Sequence, residues 1–255
     1  MLVIRAEQMK VFEQAARQRF EDDMAVHSRK FSPRLCEVIG DEQLHVALRS
    51  AIGRAEGYGF TNRGPIRLYI EMAFLYGSAF DDDPQYPAVG GNLRGFGDQM
   101  ERAERIHQWQ IDYYNRVSGP DAGNVRGAIQ SLPISASAPI AETDDFAASM
   151  LGTLDSVCPQ KAAYTGEAGL RALIGEGMAE ARNYGFDTVA QTALLVILKF
   201  GFGHGCARDP LYPWISRALQ DEKIVTPEAR AARLEKKAIT WLDHVISGDG
   251  RGSRT

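Results

Sequence analysis

Cysteine is scarce in this sequence, and clusters of positive charge are missing. The three cysteines, Cys36, Cys158 and Cys206, are widely spaced and form no CxxC pair, so a disulfide framework is not expected. A reducing, cytoplasmic setting is the expectation that follows. The chain has 29 basic and 33 acidic residues, which argues against a nucleic-acid partner, because proteins that bind nucleic acids gather Lys and Arg on one face.

Long apolar runs are also missing. The longest, residues 193–198, stops at Lys199 and is far shorter than the ~20 residues that a membrane helix needs. The N-terminus carries only a short apolar run before the first charges, so no signal peptide is expected. The sequence therefore predicts a protein without membrane contact.

Alternation of apolar and polar residues, the sign of a β-strand, is the third missing feature. Apolar side chains instead recur every three or four positions, as in 4–31, where Met9, Phe12, Phe20 and Met24 share one face. A chain of 255 residues can bury roughly 70–75% of its unfolded surface, enough for a core without disulfides or metals. The sequence predicts an all-α fold.

What the sequence does contain is one stretch in two copies. Residues 58–87 and 184–213 both open with Tyr-Gly-Phe and close with Asp-Pro-x-Tyr-Pro. The same offset of 126 positions, extended back to residues 20 and 146, aligns 68 pairs without a gap, and 16 of them are identical. Ordinary composition would give about four. Repetition of this kind predicts a tandem duplication of one helical module.

The predicted organisation is two bundles of about four helices with a linker between them. Residues 118–142, rich in Gly, Pro and Ser, show no helical period and are predicted to be exposed or extended. The four glycines of 88–97 predict a loop, since each costs a helix about 1 kcal/mol. A helix is expected to follow Gly40, and Thr143 and Asp187 are expected to cap later helices. The predicted units are an N-terminal helical repeat (1–117), the linker (118–142), a C-terminal helical repeat (143–246) and a disordered tail (247–255).

Motifs that carry chemistry are few. The Gly-x-Gly run at 201–205 departs from a dinucleotide-binding loop, because Cys206 stands where the third glycine is needed. Asp81–Asp83 could offer carboxylates to a divalent cation. Only the last of them has an acidic counterpart in the second copy, Asp209, so this pair is predicted to cap nearby N–H groups in a turn. His204 lacks the partners of a zinc site. No cofactor and no metal are predicted.

An α-helical hydrolase or toxin, with a site between the two repeats, is one alternative. Its candidate catalytic residues are Glu71, Asp83, His204 and Asp209. If these four side chains converge within hydrogen-bond reach, the enzyme hypothesis is favoured, and if they are widely separated, it is ruled out. A structural homo-oligomer is a further alternative, and the oligomeric state is left open.

Large aromatic rings stand at the helix junctions of both copies. Locking the corners of each bundle would account for them, and so would anchoring a partner, because aromatic side chains are frequent at interface centres. Phe96, between Gly95 and Gly97, lies on a predicted loop, where a large ring either contacts a partner, the better explanation, or folds inward. The residues predicted to bind a partner are Tyr86, Phe96, Tyr212 and Trp214.

Three kinds of stretch resemble a family of small helical bacterial proteins: residues 4–12, the Tyr-Gly-Phe segments and the Asp-Pro-x-Tyr-Pro-Trp segment. Members of that family tend to be encoded beside type VI secretion spike and effector genes. The resemblance implies an accessory role as an adaptor, effector chaperone or immunity-type partner, but it transfers no functional residue. The leading hypothesis is therefore a non-enzymatic, cytoplasmic protein whose partner is another protein, a secreted effector or a spike component.

Overall fold

The computed structural model describes residues 6–128, 130 and 145–249. These residues are helical between short turns and include no strand, so the predicted all-α class is confirmed. None of the described helices is both long and apolar enough to cross a membrane. In chain order the longer helices are α1 (Ala6–Phe31), α2 (Pro33–Gly57), α3 (Arg63–Tyr76), α4 (Pro87–Arg94), α5 (Gln99–Tyr113), α6 (Phe146–Val157), α7 (Pro159–Asn183), α8 (Val189–Phe202), α9 (Pro213–Gln220) and α10 (Pro227–Asp249).

Proline separates α1 from α2, because the residue before a proline is pushed out of the helical region. The predicted helix after Gly40 is confirmed: Gly40, with φ of 77° and ψ of 168°, is non-helical and divides α2 into two helical stretches. The first stretch, which begins at Pro33, was not predicted. Leu35 and Cys36 are buried, so packing holds the first turns while glycine supplies the positive φ that other residues adopt at a cost.

Helix α4 forms where a loop was predicted. Pro87 occupies its first turn, where a missing N–H costs nothing, and Val89 and Leu93 are fully buried. Burying two such side chains is worth about 1.5–3 kcal/mol each, which offsets the roughly 1 kcal/mol that each helical glycine costs. The predicted loop is therefore wrong for 88–94.

The first part of the predicted linker is also helical. α5 passes into a π-helical turn over Tyr114–Ser118 and a 3₁₀ turn over Pro120–Ala122, and residues 123–128 are α-helical. Val117 is buried and holds this part of the chain against the body. The linker is therefore helical here rather than extended, while most of its described residues from 120 on are exposed, as predicted. Residue 129 and the rest of the linker, from residue 131 on, lie outside the described residues.

Two predicted helix caps are not the ones observed. Thr143, expected to cap α6, lies outside the described residues, and Asp145 accepts from the Ala148 N–H at 3.0 Å instead. Thr188 rather than Asp187 caps α8. Its hydroxyl accepts from the Gln191 N–H at 3.2 Å, and the Gln191 side chain accepts in return from the Thr188 N–H at 3.3 Å. This reciprocal pair is a capping box.

The last helix extends past residue 246, the predicted end of the C-terminal repeat. α10 starts at Pro227, with the Thr226 hydroxyl accepting from the Ala229 N–H at 3.2 Å. It continues to Asp249, since adding a residue to an existing helix also adds a hydrogen bond. The predicted disordered tail is therefore wrong for 247–249, and 250–255 lie outside the described residues.

The helices of the N-terminal half (residues 6–128) and of the C-terminal half (residues 145–249) correspond at the offset of 126. The bounds of α2 and α7, of α3 and α8, and of α4 and α9 differ by 126 at both ends. The bends in α2 and α7 lie at Gly40 and Gly166, with φ of 77° and 75°. Backbone geometry thus repeats together with the sequence.

Each half places a tryptophan of its last long helix against the same pair of ring positions. Trp109 lies 5.1 Å from Tyr76 and 5.6 Å from Tyr86 between ring centroids. In the C-terminal half, Trp241 packs against the rings that follow those tyrosines by 126 positions. Its ring centroid lies 4.9 Å from that of Phe202 and 5.8 Å from that of Tyr212.

The two halves meet where α3 and α8 end. Gly77 and Gly203, both with φ of 93°, approach so closely that a Cβ on Gly77 would lie 2.7 Å from the Phe202 carbonyl oxygen. A Cβ on Gly203 would lie 2.8 Å from the Tyr76 carbonyl oxygen. Only glycine combines this approach with this φ. Buried apolar side chains of both halves form one cluster, with a polar cleft at the boundary.

Candidate functional site

Asp83, in the turn between α3 and α4, reaches across to the other half. Its Oδ2 accepts from the His204 N–H at 2.7 Å, and its Oδ1 accepts from the Gln85 N–H at 2.8 Å. Gln85 in turn donates to the Lys199 carbonyl oxygen at 3.2 Å. Asp83 is 3% exposed, so it is a buried acceptor that joins the halves.

Asp209 makes the same connection in the opposite direction. Its Oδ2 accepts from the Ser78 N–H at 2.7 Å, and its Oδ1 accepts from the Ser78 hydroxyl at 2.6 Å and the Leu211 N–H at 2.8 Å. Burial raises the pKa of Asp209 above its usual value, although the hydrogen bonds from Ser78 and Leu211 act the other way. The prediction that both aspartates cap nearby N–H groups is confirmed.

His204 is held between carboxylates of both halves. Its Nδ1 lies 3.0 Å from Glu176 Oε2, and its Nε2 lies 3.1 Å from Asp82 Oδ1. Burial by itself lowers the pKa of the imidazole, but the charges of Asp83, Glu176 and Asp82 together raise that pKa above its ordinary value. The ring therefore stays charged to a higher pH than a free histidine and ties α7 to the α3–α4 turn.

Asp82, Glu176, His204 and Asp209 line a polar cleft of about 590 Å³ between the halves, and Asp83 lies behind its wall. Arg54 of α2 pairs with Asp81 and Asp82. Lys199 of α8 pairs with Glu180 at 2.6 Å and donates to the His204 carbonyl oxygen. Each of these charges has an opposite partner, so the cleft holds a network of satisfied ion pairs.

Glu71 does not line this cleft. It lies on α3, where its Oε1 pairs with His27 of α1 at 2.7 Å and with Arg67 at 3.1 Å. The structure therefore brings together three of the four candidate catalytic residues and leaves Glu71 in a separate contact. Within the described ranges no group of three His, Cys, Asp or Glu side chains is arranged to hold a metal ion.

The carboxylates and the imidazole at the cleft already have hydrogen-bond partners, and this limits the reactions that they could catalyse. Both carboxylate oxygens of Asp83 and of Asp209 already receive hydrogen bonds, and both ring nitrogens of His204 face carboxylates. A general base needs a lone pair within reach of a substrate proton. The arrangement suits joining the halves better than proton transfer.

Tyr86 and Tyr212, predicted to bind a partner, are 3% and 7% exposed. They belong to the aromatic clusters around the two tryptophans of α5 and α10, and burial raises the pKa of both phenols. A partner reaches them only if neighbouring helices move aside, so in this structure they lock the corners of the bundles. Trp214 is partly buried, with its ring centroid 5.7 Å from that of Phe202.

Phe96 has a different environment, in the loop between α4 and α5. Its side chain is 98% exposed, the most exposed large apolar side chain in the described residues. The loop itself is fixed, because Arg105 donates to the Phe96 carbonyl oxygen and Asp98 forms a capping box with Glu101. Residues 95–98, the Phe96 loop, thus hold an aromatic ring in solvent on an ordered backbone.

The C-terminal half also exposes an apolar side chain before its last helix. Val225, 84% exposed, directly precedes Thr226, which caps α10, whereas Phe96 lies two residues before Asp98, which caps α5. Arg230 fixes this loop by donating to the Ile224 carbonyl oxygen at 3.1 Å. Sequence reasoning missed Val225, although an apolar residue directly before the helix cap at Thr226 was an available signal.

Sequence reasoning also missed five charged residues of the cleft: Arg54, Glu176, Glu180, Lys199 and Arg208. Lys199 carried a signal, because a charged residue in so apolar a helix as α8 is rarely buried without a partner. Arg54 and Glu176 lie on helices with no local motif, and only the meeting of the two halves brings them together.

Comparison of the chain with protein-family models, with curated proteins and with solved structures finds no match in any of the three.

Proposed function

We propose that the chain is a tandem duplication of one helical module and that it acts by binding another protein, without enzymatic chemistry. Three observations support the duplication. Helix bounds repeat at an offset of 126, the positive φ angles of glycine repeat at the same offset, and Asp83 and Asp209 make reciprocal bonds to the other half. Two unrelated helical bundles would not be expected to share these three features.

The exposed ring of Phe96 carries the binding proposal. Leaving such a side chain in water forgoes about 1.5–3 kcal/mol of burial. The bonds from Arg105 and within the Asp98 capping box hold the loop, so fraying does not explain the exposure. Rigid aromatic side chains that fill a pocket of the partner dominate the energetics of many protein interfaces.

Neighbouring exposed side chains extend this surface. Met100, in the first turn of α5, is 53% exposed, so the Phe96 loop and the start of α5 present two apolar side chains close together in the sequence. Val225 gives the C-terminal half a smaller counterpart. We therefore place the main contact at the Phe96 loop and a second one before α10.

The class of partner follows from the resemblance of residues 4–12 and of the two repeated segments to accessory proteins of type VI secretion. It supports a secreted effector or a spike component as the partner, and an adaptor, chaperone or immunity role for this chain. The net charge of −4 is in keeping with a protein partner rather than a nucleic acid.

Capture from source cells that express the tagged full chain tests the proposal. The wild type should retain a protein in a fixed ratio, and Phe96→Ser should weaken its binding roughly thirtyfold, since losing a central anchor costs about 2 kcal/mol or more. Val26→Ser, at an apolar side chain of α1 that is 52% exposed, is the matched control and should bind as the wild type does. Equal capture by Phe96→Ser, or no protein partner at all, would contradict the proposal.

A helical hydrolase or toxin is the second candidate, favoured by His204 and Asp209 in one cleft, with Asp83 bonded to the His204 N–H. The paired charges of the cleft and the separate contact of Glu71 weigh against it. His204→Gln separates the two functions. It should leave partner capture unchanged if the cleft is structural, whereas an enzyme would lose turnover of its substrate.

A further inference from the structure

A second cavity, of about 320 Å³, lies between the first turn of α7 and the rings of the N-terminal half. Its volume is at the lower end of the range, roughly 300–1,000 Å³, found for small-molecule sites. We call it the aromatic cavity. The rings that line it include Tyr76, Tyr86, Tyr113, Phe200 and Phe202.

Lys161 places one ammonium group in this apolar wall. Its Nζ lies 4.8 Å from the ring centroid of Phe200 and 5.6 Å from that of Tyr86, and it donates to the Phe200 carbonyl oxygen. An ammonium has three N–H donors, and no carboxylate in the described part of the chain forms an ion pair with this one. Cation–π contacts offset only part of the cost of holding a charge among apolar groups.

The N-terminal half has the matching cavity without the lysine. This counterpart, of about 410 Å³, lies at the start of α2 and is lined by Leu35 and Phe74 together with Tyr212 of the other half. These three positions correspond, at the offset of 126, to Lys161, Phe200 and Tyr86 of the aromatic cavity. Because leucine fills the place of the lysine there, the packing of this corner does not require a charge.

We propose that the aromatic cavity binds a small organic carboxylate with an apolar body, whose carboxylate pairs with the Lys161 ammonium while the body lies against the rings. One cation among apolar walls suits a monoanion of this kind better than a phosphate, which carries more charge and needs more donors. This site is separate from the Phe96 loop, and the proposal does not depend on partner binding.

Binding at this site should depend on pH. Burial lowers the pKa of Lys161 to about 8, while the charges of Asp83 and Cys158 act to raise it. Burial raises the pKa of Tyr86 and of Tyr113, which also face the cavity, so these phenols stay neutral as the lysine titrates. At pH 9 about a tenth of the free protein carries the charged lysine, and affinity should be about tenfold lower than near pH 6.

Calorimetric titration of the full chain with two probes, octanoate and 3-phenylpropanoate, tests the proposal on the wild type alone. We expect saturable binding of at least one of them, and at least tenfold weaker binding of its uncharged amide. No saturable binding of either carboxylate, or equal binding of acid and amide, would overturn the proposal.

Lys161→Leu tests the role of the lysine and introduces the residue that the counterpart cavity already holds. The variant should lose at least tenfold in affinity and all dependence on pH between 6 and 9. Lys236→Leu, at an exposed position of α10, is the control and should bind as the wild type does. Unchanged affinity in Lys161→Leu overturns the proposal, and if that variant fails to fold the comparison of acid and amide decides.

Discussion

At the scale of single residues, Asp83 and Asp209 show what a sequence reveals about a site and what it hides. Their shared place before proline predicts a turn in which the carboxylate caps a nearby N–H, and each aspartate does so, to Gln85 and Leu211. Their bonds to His204 and Ser78 in the other half had no local signal, because those partners lie more than a hundred positions away.

Asp209→Asn should destabilise the protein. The change keeps the shape of the side chain but turns one acceptor oxygen into a donor, which then faces the N–H of Ser78 or of Leu211. An unsatisfied buried pair of this kind costs about 1–3 kcal/mol. Urea unfolding measures the loss, with Asp155→Asn on the exposed face of α6 as control, expected to stay within about 0.5 kcal/mol of the wild type. Equal stability of the two variants would show that the tie between the halves contributes nothing.

His204 should make the stability of the protein depend on pH. Its folded-state pKa is raised overall, because the charges of Asp83, Glu176 and Asp82 outweigh the effect of burial. The stabilisation is therefore fully present below the unfolded pKa of about 6.5 and is lost as the pH rises through the higher folded value.

Unfolding free energies at pH 6 and pH 9 check this, with His204→Gln compared with the wild type. The difference between the two proteins should be larger at pH 6. His107→Gln, at an exposed position of α5, should show no such change. A difference that is the same at both pH values would mean that the imidazolium does not stabilise the fold.

At the scale of helices, α4 shows how a local rule is overridden by packing. Its glycines predict a loop, yet the aligned segment of the second copy, Pro213–Gln220, is a helix, and the offset of 126 alone would have predicted α4. Propensity is a weak signal when side chains such as Val89 and Leu93 become fully buried. The repeat carried more information here than the composition did.

The helix ends at Gly77 and Gly203 should not tolerate a side chain. Alanine at either position would place a Cβ less than 3 Å from a backbone carbonyl of the other half and would hold φ near 93°. We expect a loss of about 2–4 kcal/mol from the clash and the strained backbone together.

Thermal or urea unfolding of Gly77→Ala and Gly203→Ala measures that loss. Gly175→Ala in α7 is the control, because a Cβ there meets nothing within 4 Å and alanine favours the helix by about 0.5–1 kcal/mol. If all three variants gain stability, the close approach of the ends of α3 and α8 does not exist in solution.

At the scale of the whole molecule, the class of fold and the course of most helices could be predicted from the sequence, because apolar spacing and proline positions act locally. The way in which the halves meet could not. The close approach at Gly77 and Gly203, the cleft around His204 and the cavity at Lys161 all combine residues that are distant in the chain. The Phe96 loop could be predicted only in part. Its glycines predicted a loop that carries the aromatic ring, but not the hydrogen bonds that hold the loop in place.

The claim that the two repeated halves form one body, on which the Phe96 loop and the loop of Val225 are carried, is tested most directly by native-state hydrogen exchange. The slowest amides of α3 and of α8 should exchange with the same free energy of opening, within about 1 kcal/mol, and Asp209→Asn should lower both by the same amount. Exchange of α3 while α8 stays protected, or a loss confined to one half, would contradict a single body.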